Sequence, residues 1–113
     1  MKKILLIGLI VSAITPSFAK PNQPVSTIQH EENCKKITSM AQVVMKARQN
    51  GSPILNMLAA AEKSSKDEQS VKITKMMVED AFSQPKYYSE EAKKDAVNEF
   101  SAKYYLGCMK MYE

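Results

Sequence analysis

From Cys34 onward, apolar residues recur at steps of three and four, the spacing of one helix face. The first such stripe is Cys34, Ile37, Ala41, Val44, Met45 and Arg48, stopped by Asn50-Gly51. Ser52-Pro53 is a favoured helix start, with serine as cap and proline at the first helical position. A short second helix follows through Ile54, Leu55, Met57, Leu58 and Ala61. Ser65 with Glu68 forms a capping-box signature for a third, which carries Val71, Thr74, Val78, Ala81 and Phe82. Ile73, Met76 and Met77 widen that stripe, and Pro85 ends it. Ser89, with Glu90 and Glu91 at the positive end of the dipole, opens a fourth. There Ala92, Ala96, Phe100, Tyr104 and Cys108 step by four, with Val97 and Met111 alongside.

No stretch alternates with period two for long enough to make a strand. The pattern predicts an all-α domain, a small bundle of about four helices with short connections, which run antiparallel to their neighbours. In that order the start of the first helix lies beside the end of the fourth.

The N-terminus reads differently. Lys2 and Lys3 precede the apolar run Ile4–Ile14, followed by Thr15-Pro16-Ser17-Phe18-Ala19 with small residues at both positions that a cleavage site requires. This is a secretory signal peptide over residues 1–19. The run is well short of the ~20 residues of a spanning helix, so no stable membrane anchoring is expected after cleavage. Residues 20–30 are expected as a flexible leader and 31–113 as the single helical domain. Ser26 with Gln29 is one capping-box start for the first helix; a start near Asn33 is the other. The expected destination is the periplasm or the medium.

Export changes what charge and cysteines mean. The chain has 16 basic and 12 acidic side chains, net +4, and Lys2 and Lys3 supply half of that excess. The remaining cations are scattered among carboxylates, without the basic block of a nucleic-acid binder. The basic-aromatic triplets Lys86-Tyr87-Tyr88 and Lys103-Tyr104-Tyr105 are read as coincidence, since Tyr104 falls on the core stripe. In an oxidising compartment the two cysteines, Cys34 and Cys108, read as a disulfide closing nearly the whole domain. Free thiols, or a metal pair completed by His30, are the rival readings. So few ligands make a poor structural zinc site, and neither metal nor cofactor is expected.

Catalysis finds little to work with. His30 is the lone histidine. The carboxylates come as Glu31-Glu32, Glu79-Asp80 and Glu90-Glu91, and adjacent helix positions do not face one another. No nucleophile–base–orienter set emerges, and a non-enzymatic role is expected; a hydrolase would depend on His30. Helix one, with Lys35, Lys36 and Lys46 near its apolar face, lacks the bulky residues of an interfacial helix.

The fourth helix has more apolar surface than one core contact needs. Beside the stripe Tyr104, Cys108 and Met111 runs a second, Tyr105, Met109 and Tyr112. Two readings fit: the leader or helix two covers this face, or another protein does.

The order Cys34, Ala41, Met45, Arg48-Gln49, Gly51, Ala81-Phe82, Pro85, Phe100, Tyr104 and Cys108 spans most of the mature chain. It resembles small exported helical proteins of bacteria and prophages with an N- and a C-terminal cysteine. Phe82 stands where that group more often has tyrosine. The resemblance implies a disulfide-bearing helical periplasmic protein and supplies no activity. The function expected is a protein-binding module of the cell envelope, such as an inhibitor or immunity-type protein of an envelope enzyme. The alternative is an envelope-stress or chaperone-like protein with a soft, Met-rich core.

Overall fold

The computed structural model describes residues 27–64 and 66–111. The expected signal peptide, the first part of the leader, Ser65 and Tyr112 lie outside the described residues. Within them are four α-helices and no strand: α1 Thr27–Gln49, α2 Ile54–Ser64, α3 Glu68–Phe82 and α4 Glu90–Lys110. The last four residues assigned to the leader, Thr27 to His30, form the first turn of α1.

The helix ends show why the chain breaks where it does. Gly51 sits at φ +90. Its N–H donates to Arg48 O, and Ser52 N–H donates to Ala47 O at 3.0 Å, the paired bonds of a Schellman cap. Helix α2 starts where Pro53 O accepts from Asn56 and Met57. The cap of α3 is Asp67 rather than a Ser65–Glu68 box. Asp67 accepts from Gln69 N–H and from Ser70 Oγ, and an aspartate oxygen meets the exposed N–H groups as well as a serine hydroxyl does. Ser89 caps α4 as expected, accepting from Ala92 N–H at 3.0 Å.

Helix α1 is the centre of the bundle. It packs most extensively against α4, then against α3, while α2 lies mainly on α3. Ala41 and Ala81 are wholly buried within the core. Val44, Met45, Met77, Val78, Val97 and Phe100 fill the core around them. Cys34 and Cys108 are joined in a disulfide with 5.5 Å between their Cα atoms, which fixes α1 and α4 antiparallel. This bond fits an oxidising, non-cytoplasmic setting. No helix among the described residues is long and apolar enough to cross a membrane.

Five apolar positions of the expected stripes are exposed, Ile54 and Leu55 of α2 among them. Met111, placed in the core by spacing, is 66% exposed; Met76 and Ile73 are exposed as well.

The connection between α3 and α4 is held from the end of α1. Arg48 donates to Gln84 O through Nε at 3.1 Å and Nη2 at 2.9 Å, and its guanidinium lies over the Phe82 ring at 5.2 Å. Gln49 is buried; its Nε2 donates to Pro85 O at 2.8 Å and its Oε1 accepts from Tyr87 N–H at 2.8 Å.

Candidate functional site

Because α3 packs along α1 and α2 and only slightly on α4, an open apolar groove remains between α3 and α4, with α1 beneath. Its volume is about 670 Å³. Helix α1 contributes His30, Asn33 and Ile37, one turn apart on the flank facing α3. Helix α3 contributes Ile73. Helix α4 contributes Lys103, Tyr104, Gly107, Cys108 and Met111. The disulfide therefore forms part of the wall through Cys108, and the exposure of Ile73 and Met111 has a location: both border this groove.

Gly107 matters because of what it leaves open. A Cβ built there meets no atom within 4 Å, and its φ is not positive. Neither backbone strain nor packing requires glycine at this helical position. Gly107→Ala is expected to raise stability by about 0.5–1 kcal/mol, the helix-propensity difference, measured by urea unfolding.

At one end of the groove, Asp80 gathers two partners from α4. Lys103 Nζ and Tyr104 Oη each donate to Asp80 Oδ2 at 2.9 Å. Burial alone raises the Asp80 carboxyl, but the Lys103 and Tyr104 hydrogen bonds outweigh it and hold the group below its ordinary 3.8. Burial, then the facing Asp80, push the Tyr104 phenol well above its ordinary 10.0. A depressed carboxyl stabilises the fold fully above its unfolded value and loses that contribution as pH falls through its folded value. Asp80→Asn should thus lower stability by about 1 kcal/mol at neutral pH. The gap between wild type and variant should close as pH drops below 3.8, read from urea midpoints along a pH series. The same contacts engage Lys103 and Tyr104 within the chain.

The face expected from sequence lies elsewhere. Tyr105 and Met109 sit on the opposite flank of the Tyr104–Cys108 stripe from Gly107 and Met111, and both are half-buried. The groove escaped sequence reading because it depends on how far α3 stands from α4. The one available signal was Met111 together with Ile73, apolar positions at the edge of two stripes. His30 is buried, with Nε2 3.7 Å from Cys34 Sγ, placing the lone histidine against the disulfide. Comparison of the chain with protein-family models, with curated proteins and with solved structures finds no match.

Proposed function

We propose that this chain is exported and works outside the cytoplasm as a protein-binding module, with the groove over the Cys34–Cys108 bond as its docking site. The observation that carries the reading is the groove itself: an apolar trough flanked by α3 and α4 and floored by α1. A helix laid there meets apolar side chains on three sides, the helix-in-groove mode of recognition. The occupant is an amphipathic helix of a partner protein, its apolar face against Ile37, Ile73 and Met111. Lys103, the one charged residue of the lining, is already held by Asp80, so the apolar contacts rather than charge carry the recognition. The disulfide keeps the α1 floor and the α4 wall together before the partner arrives, which lowers the ordering cost of binding. An inhibitor or immunity-type role for an envelope enzyme needs this much: a rigid face and no chemistry of its own.

A photo-reactive side chain at position 73, inside the groove, is compared in cells with one at position 55 on α2. Leu55 is 73% exposed and lies outside the groove. Position 73 is expected to give one discrete adduct with another protein that position 55 does not give. A broad smear of adducts from both positions favours the chaperone-like alternative and contradicts the proposal. A crosslink confined to the chain's own residues before Thr27 contradicts it too.

A further inference from the structure

One side-chain cluster in the groove wall carries chemistry that docking does not use. His30 and Cys34 stand one turn apart on α1, and Cys108 meets them from α4. One ligand atom from each, an imidazole nitrogen and two sulfurs, lies within 4.8 Å of the other two, and all three residues are buried. His30 Nε2 and Cys34 Sγ are 3.7 Å apart. A nitrogen and a sulfur on one tetrahedral zinc ion, at about 2.05 and 2.3 Å from it, are separated by roughly 3.5 Å. The pair on α1 is already at the spacing of two ligands to a single ion.

The geometry points to a zinc site in the reduced form of this protein, held by His30, Cys34 and Cys108. Two thiolates and a neutral imidazole cancel the charge of Zn²⁺, so the loaded site suits its apolar surroundings. Soft sulfur and imidazole donors favour zinc over magnesium or calcium. His30 and Cys108 both border the groove, so the fourth coordination position faces it. Three protein ligands and one open position make up a known class of zinc site.

Disulfide and zinc exclude each other because they use the same two sulfurs. A thiol reductant passes two electrons to the Cys34–Cys108 bond, leaving two protein thiols while two reductant thiols join as their own disulfide. Zinc then displaces one proton from each protein thiol into solvent. The ion ties α1 to α4 where the disulfide did, so the reduced chain regains its closure. This site stands apart from the docking proposal: it concerns the reduced protein and needs no partner.

The test uses the full mature chain, reduced without oxygen, freed of reductant and titrated with Co²⁺ and then Zn²⁺. The expected result is one Co²⁺ per chain, with thiolate-to-metal charge-transfer absorption that Zn²⁺ abolishes. Zinc should also raise the melting midpoint of the reduced protein. The oxidised protein should give neither signal. His30→Gln should weaken binding by more than the roughly 10–100-fold that loss of an outer partner costs, and His30→Cys should restore it. Equal affinity for wild type and His30→Gln would overturn the site by leaving the histidine no part in it. Absence of saturable binding by the reduced wild type would overturn it as well.

Discussion

Replacing both cysteines, Cys34→Ser with Cys108→Ser, should lower the stability of the isolated chain by about 4.5 kcal/mol on the chain-entropy model of a long closed loop. The bond links residues 74 apart in sequence, so nearly the whole fold lies inside the loop. Its loss frees the unfolded chain far more than it disturbs the native core, because Val44, Met45, Val97 and Phe100 still join α1 to α4. A domain of this size has only a small margin of stability from burial, so a loss of that order brings it close to unfolding. Urea unfolding of wild type and double variant, each as the zinc-free protein, gives the difference. A loss below about 1 kcal/mol would mean that the helices hold together without the staple, against the loop model.

The second large effect is expected at Gln49, far from the disulfide at the other end of α1. Its amide is buried and bonds to Pro85 O and Tyr87 N–H in the α3–α4 connection. Gln49→Leu keeps the volume but leaves that carbonyl and that N–H without their partner. Each such group costs about 1–3 kcal/mol when water cannot replace the bond, so a total near 3 kcal/mol is expected. Arg48→Ala should cost less, because the guanidinium is only half-buried whereas the Gln49 side chain is buried. Denaturant midpoints of the two variants check both the size and the order. A Gln49→Leu protein as stable as wild type would show that the connection does not depend on α1.

How much of this was legible depends on the range of each interaction. The four helices follow from local periodicity and from caps such as Gly51 and Ser89, which act within a few residues. The pairing of Cys34 with Cys108 was read from the export signal and the even pair of cysteines, and the topology of short connections agreed with it. Gln49 looked like an ordinary polar residue beside a cation at a helix end, and its partners lie 36 and 38 residues away. No local pattern encodes a bond of that span. Ser65 misled because Asp67, two residues on, caps equally well. The groove was the least legible feature. Stripe analysis assigns an apolar residue to a core wherever the spacing holds, and so it placed Met111 and Ile73 inside. Whether a helix covers them depends on how α3 and α4 are placed around α1, a tertiary arrangement that local spacing does not encode.

The docking groove is the centre of the functional reading, and Gly107 gives direct access to it. Open space above this residue means that Gly107→Leu puts a side chain into the groove while improving the helix that carries it. The decisive measurement is the equilibrium affinity of the partner recovered from position 73 for wild type and for Gly107→Leu, both oxidised and both shown to be folded. The reading predicts at least a tenfold loss of affinity in the variant, about 1.4 kcal/mol, with a melting midpoint equal to or above that of wild type. Undiminished affinity in a folded Gly107→Leu protein would contradict it and place the partner on another face.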